Sequence, residues 1–181
     1  LKMLPYDNKN EFQIMVDMPE GATLEQTDAV ARDIEQFLLT VPEVTDISTL
    51  VGASTPMDFN GLVRHYYLRE GPHTADLRVN LLPRTERAQS SHELTLSLRN
   101  RLDEIARIHG ARTKLIEVPP GPPVLATTVA EIYGAPHHSY DDLIAAAHTV
   151  ETAMRAEPGV VDADTSVEHR QRQWFFRVDR E

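Results

Sequence analysis

The sequence contains no cysteine. That excludes disulfides, thiolate zinc sites and cysteine nucleophiles, and it fits any compartment. No apolar run approaches the ~20 residues that span a bilayer, and there is no signal peptide. No run of like charge reaches five residues, so the chain carries neither a basic arm nor an acidic tail. Its net charge of −10 argues against a binder of phosphate backbones, hence no nucleic-acid partner. A glycine-rich phosphate loop is also missing, because Gly61 and Gly71 stand alone. The initiator methionine is absent at Leu1, which reads as an excised piece of a longer protein.

What is present is enough apolar residue, 41%, to build real cores in 181 residues. The chain is punctuated by Val118-Pro119-Pro120-Gly121-Pro122-Pro123. Proline has no ladder donor and pushes the residue before it toward extended geometry, so this stretch predicts a stiff connector between two modules.

Before the connector, Glu11 to Met18 alternates, with Phe12, Ile14, Val16 and Met18 on one face and Gln13, Met15 and Asp17 on the other. Thr23 and Gln26 form a capping-box pair that opens a helix to about Thr40, where Val41-Pro42 stops it. Val44 to Val51 predicts a second strand, with Asp46, Ser48 and Leu50 sharing one face. Gly52 to Gly61 is a loop by composition, and Leu62 to Leu68 fits either a short helix or an extended edge. Ala75 to Leu82 is a third strand, its Asp76, Arg78 and Asn80 opposite the apolar side. Ser90 and Glu93 cap a helix running to about Ile108, and Arg112 to Val118 is a fourth strand. The order β-α-β-β-α-β is that of a ferredoxin-like split β-α-β module, an α+β fold with an antiparallel or mixed sheet and helices on one face.

After the connector, strands are expected over Ala126 to Tyr133, Val160 to Val167 and Gln173 to Val178, with a helix from Ser139 to about Arg155. This is an incomplete second module. The expected organisation is therefore a complete module over 1–121 and the first half of another over 122–181. An incomplete sheet leaves edges and apolar surface uncovered, which predicts self-association through that half.

Four segments together resemble the periplasmic porter region of resistance-nodulation-division (RND) efflux transporters. They are Phe12 to Thr23 (FQIMVDMPEGAT), Val41 to Val44 (VPEV), Val79 to Pro83 (VNLLP) with Glu86 and Arg87, and Val129 to Gly134 (VAEIYG). The resemblance implies the first C-terminal porter subdomain over 1–121, then the opening of the second, truncated before a docking insertion. It also implies a periplasmic portion of an inner-membrane, proton-driven antiporter. Its partners would be a small-molecule export substrate, other protomers of a trimer, a periplasmic adaptor and an outer-membrane channel.

In that family the helix-free sheet faces help line the substrate path. The corresponding face here carries Gln13, Met15, Asp17, Asp46, Ser48, Leu50, Arg78 and Asn80. Drug-exporting members place phenylalanines in the second and third strands, where this chain has Ser48 and Arg78. Losing aromatic surface removes roughly 0.5–1.5 kcal/mol per ring pair, which implies a polar or amphiphilic substrate. The loop with Met57 and Phe59 matches by position a loop between two pockets of the family. A plain solvated face and a plain surface loop are the structural alternatives.

Other clusters carry little chemistry. His137 and His138 with Asp141 and Asp142 suggest a metal, but adjacent histidines at a helix start rarely converge on one ion, and an aspartate there serves the helix terminus. Met3, Met15, Met18 and Met57 do not make a soft-metal trio, since Met15 and Met18 point to opposite faces. Ser90, Ser91 and His92 look like a triad, yet capping explains the serines; His65 with Tyr66 and Tyr67 has no nucleophile partner. No catalytic residue, metal site or cofactor is expected. The rival readings are a free-standing ferredoxin-like ligand-binding or regulatory protein and a small hydrolase or isomerase, and fold alone does not choose among them.

Overall fold

The computed structural model describes residues 7–56, 59–118, 128–167 and 175–178. The chain divides into two compact units, Leu1–Val129 and Ala130–Glu181. The proline-rich connector at 119–123 lies outside the described residues.

In the first unit the order is β1 (Glu11–Asp17), α1 (Leu24–Leu38), β2 (Val44–Val51), α2 (Phe59–Arg64), β3 (Thr74–Leu81), α3 (Ser91–Ile108) and β4 (Arg112–Glu117). Both long helices begin where sequence chemistry places them. The Thr23 hydroxyl accepts from the Gln26 N–H at 3.3 Å while Gln26 Oε1 accepts from the Thr23 N–H at 2.9 Å. Ser90 and Glu93 repeat the arrangement at the start of α3. Each box satisfies two of the donors that a helix start leaves without partners.

The four strands form one sheet in the order β2-β3-β1-β4, with every neighbouring pair antiparallel. Because β1 and β2 both run opposite to β3, they are parallel to each other and β3 lies between them. The connection through α1 therefore skips a strand, and so does the one through α3. This is the ferredoxin-like split β-α-β arrangement.

Phe12, Ile14 and Val16 of β1 and Ala75, Leu77, Val79 and Leu81 of β3 pack in one core with Val30, Ile34 and Leu38 of α1 and Leu94, Leu98, Leu102 and Ile105 of α3. Period 2 on the strands meets period 3.6 on the helices, so the apolar sides of both coincide. The loop expected over 52–61 gives way to α2 at Phe59. Residues 62–68 resolve as helix: α2, then a reversal at His65 (φ 59°), then a 3-10 turn, Tyr66–Leu68.

The second unit departs from expectation. Its helix α4 (Tyr140–Ala156) forms as read, capped by Ser139 with Asp142. However, residues 128–133, 160–167 and 175–178 form no strand. Alternation supplies the right side-chain pattern, but an extended segment becomes a strand only by pairing its backbone, and two or fewer strands are marginal alone. Residues 126, 127, 173 and 174 of those expected strands lie outside the described residues.

Candidate functional site

The face of the sheet turned away from α1 and α3 is built in rows by strand register. One row runs Ser48, Arg78, Gln13, Ile116 across β2, β3, β1 and β4; the next runs Leu50, Asp76, Met15, Lys114. Asp46 pairs with Asn80, and Asn80 with Glu11, toward one end; Asp17 pairs with Thr74 and Arg112 at the other. All eight residues singled out by alternation thus share a face. Their accessibility is unequal.

Asp46 and Ser48 are exposed, and Leu50, Arg78 and Asn80 are half-buried. Gln13 is 8% exposed and Met15 only 1%, although no part of α1 or α3 lies on their side. The chain joining β2 to β3 reaches this part of the face. Thr55 donates its N–H to Asp76 Oδ2 at 3.1 Å, and Gln13 Nε2 donates to the Thr55 hydroxyl at 3.2 Å and to Asp76 Oδ2 at 3.3 Å. From the other end of the same connection, Arg69 bonds Asp76 Oδ1 and Asp17 Oδ1, the latter at 2.5 Å, and donates to the Val16 carbonyl at 3.1 Å.

Lys114 from β4 adds a second cation 3.4 Å from Asp17 Oδ2. Two carboxylates taken out of water would be costly alone, and the guanidinium fork offsets that cost by spanning both. Burial pushes the Asp17 carboxyl up, but Arg69 and then Lys114 outweigh it and hold the group below its ordinary value.

The remaining accessible row is polar and self-paired. Asn80 Nδ2 donates to Asp46 Oδ1 at 2.7 Å, and Arg78 lies 3.9 Å from Glu11. Such a surface offers hydrogen bonds and charge, with Leu50 its half-buried apolar member. Met57 lies outside the described residues, and Phe59 begins α2. A shallow groove of about 450 Å³ runs on another side, between α1 and β2, lined by Asp28, Arg32, Glu35 and Thr49 among others. Its charged groups are already engaged, Arg32 with Asp28 at 2.8 Å and Glu35 with the Thr49 hydroxyl.

The clusters set aside on sequence grounds have local partners. His137 and His138 stack edge-on, and His138 Nδ1 accepts from the Ala135 N–H at 3.1 Å. Asp142 accepts from the Ser139 N–H and hydroxyl, and the hydroxyl bond holds its carboxyl below the usual range. His92 Nδ1 sits 2.9 Å from Glu117. Met18 packs against the helix-side core, on the face opposite Met15. Among the described residues no group of three or more His, Asp or Glu is placed to hold a metal ion, nor is any helix long and apolar enough to cross a membrane.

Sequence reasoning put Asp76 on the right face but missed Arg69, Thr55 and Lys114 as its surroundings. The only signal was chemical: two aspartates on one sheet face, Asp17 and Asp76, demand a cation if they are buried. Nothing in the spacing says that Arg69 supplies it.

Comparison with curated protein sequences gives no match. Among 129 matching chains of solved structures is an X-ray crystal structure of a heavy metal efflux pump. It is 19% identical with a TM-score of 0.46, and the match covers 64% of this chain and 11% of the pump chain. The chain thus spans only a small part of that pump. The profile of the AcrB/AcrD/AcrF family matches residues 1–181, the whole sequence. The chain belongs to the AcrB/AcrD/AcrF family and is porter-region sequence of a resistance-nodulation-division transporter.

Proposed function

We propose that this chain forms part of the substrate path of a proton-driven efflux pump, on the periplasmic side of the inner membrane. Residues 1–121 act as the first C-terminal porter subdomain and 122–181 begin the second. The role is passage and binding of a small molecule, not catalysis. The partners are the other protomers of a trimer, a periplasmic adaptor and an outer-membrane channel.

The observation that carries this reading is the sheet face free of α1 and α3, whose accessible residues Asp46, Ser48, Leu50, Arg78 and Asn80 are mostly polar. The family match over the whole chain supports it. A face of this chemistry favours a polar or amphiphilic substrate over a flat hydrophobic one, because no aromatic ring stands at positions 48 and 78 to stack on.

Transport by the intact pump, in cells stripped of their own exporters, tests the reading. Resistance should be conferred against polar and amphiphilic compounds and not planar hydrophobic dyes. Ser48→Phe with Arg78→Phe should shift the preference toward the dyes. Tight binding of planar dyes by the unsubstituted pump, lost on substituting Leu50, would overturn it.

A further inference from the structure

Along β2 and β3 the accessible part of the helix-free face changes character in steps. The first row holds Asp46, Asn80 and Glu11, two carboxylates with an amide between them, and Asn80 donates to Asp46 at 2.7 Å. The second holds Ser48 and Arg78. The third holds Leu50 beside Asp76, whose charge Arg69 already meets. Residues two apart on a strand share a face and lie about 7 Å apart, so acid, cation and apolar group follow one another at that spacing.

The two arginines of this face are held differently. Arg69 bridges Asp17 and Asp76 with a side chain 17% exposed. The side chain of Arg78 is 32% exposed and lies 3.9 Å from Glu11, itself 43% exposed. An ion pair this long and this open to water is worth little, so the charges of a ligand can replace it. Lys9, two residues before Glu11, is paired with Asp7 at 2.9 Å.

We propose that this face binds a zwitterionic amphiphile whose anion lies between its cation and its apolar chain, as in an alkyl phosphocholine. Arg78 takes the phosphate, Asp46 and Glu11 take the quaternary ammonium, and Leu50 meets the start of the chain. A guanidinium offers paired donors that suit a phosphate. The order of the groups is what discriminates. A sulfobetaine has the same net charge but carries its ammonium next to the chain, so with the chain at Leu50 each of its charges meets groups of its own sign. The inference rests on the reading of this face as a substrate path and narrows it to one charge order.

Titration of the isotope-labelled 181-residue chain with octylphosphocholine and with octyl sulfobetaine, both below micelle formation, tests this through amide shifts. Octylphosphocholine should bind roughly tenfold more tightly, the scale of one charge-assisted contact, with shifts centred on residues 46–50 and 78–80. Arg78→Gln should abolish the preference and Arg78→Lys should keep most of it, with the amides of α1 and α3 unmoved in both variants. Asp46→Asn with Glu11→Gln should weaken octylphosphocholine and not octyl phosphate, which has no cation. Phosphocholine without the octyl chain should bind more weakly, and equal binding would overturn the amphiphile in favour of a free phosphate ester. Absence of binding, equal affinities for the two octyl zwitterions, or a preference that survives in Arg78→Gln would also overturn the proposal. No transport is involved, so equal affinities alongside export of polar compounds by the intact pump would sink this inference alone. Discrimination here without such export would sink only the transport reading.

Discussion

Asp17 and Arg69 meet at 2.5 Å although 52 residues separate them, and only Asp17 lies in the sheet. The pair joins the end of β1 to the connection that crosses the face. Its electrostatics lead to a pH dependence. The folded Asp17 carboxyl is held below its ordinary value of 3.8 by Arg69 and Lys114, against the opposing effect of burial. A carboxyl depressed on folding contributes stability above the unfolded value, and that contribution disappears as pH falls through the folded one. Urea midpoints should therefore drop as pH is lowered from about 5 toward 2. In Arg69→Ala the part of that drop due to Asp17 should shrink. An identical acid dependence in the two proteins would contradict the assignment.

Among the described residues Arg69 is the cation bonded to Asp76, so removing it leaves that buried carboxylate without its ion-pair partner. Truncating one partner of a buried ion pair costs roughly 3–5 kcal/mol. Arg69 retains some exposure, and Lys114 still faces Asp17, so Arg69→Ala belongs near the lower end, about 3 kcal/mol by denaturant titration. Arg69→Lys keeps the charge without the planar fork and should fall between. Adding Asp76→Asn to Arg69→Ala should cost less than the two separate losses, because the second change removes the charge the first leaves stranded. Additive losses would mean that the two side chains are not coupled.

How much of this was legible beforehand depends on whether the cause is local. One-sided burial imposes alternation, so Phe12, Ile14 and Val16, and Ala75, Leu77 and Val79, announced both the strands and the face they hide. Thr23 with Gln26 and Ser90 with Glu93 announced the helix starts, because a cap acts within three residues. The face holding Gln13 and Met15 was equally readable, but their exposure was not. For Gln13 the partner is Thr55, which arrives from a connection with no periodicity to read. The strands expected at 128–133 and 160–167 failed for the same reason. Their side-chain pattern is local, but the backbone partner that would make them strands is not.

The capping boxes provide a check that separates the two units. Thr23→Ala removes the hydroxyl that accepts from Gln26 and should destabilise the first unit by about 1 kcal/mol. Ser139→Ala removes the equivalent cap from α4, which belongs to the other unit. It should lower helical content without moving the transition of the four-stranded sheet. Followed together by far-ultraviolet circular dichroism and by exchange of β1 and β3 amides, the substitutions should therefore act on different signals. A loss of sheet protection in Ser139→Ala would show that the units are energetically one.

The described residues of the second unit carry much exposed apolar surface. Helix α4 has no buried residue, and Tyr133, Tyr140, Val161, Phe175, Phe176 and Val178 are all largely exposed. Apolar area left in water forgoes about 25 cal/mol per Å², so contact with any complementary surface is favourable. In the isolated 181-residue chain the same unit of another copy is expected to supply such a surface. Light scattering should give a mass that rises with concentration above the monomer's 20.4 kDa. Phe175→Ser with Phe176→Ser should return it toward the monomer while leaving the first unit folded, because neither residue belongs to that unit. A strictly monomeric chain at high concentration, with α4 well protected from exchange, would refute the association. It would also show that this unit buries its apolar residues internally.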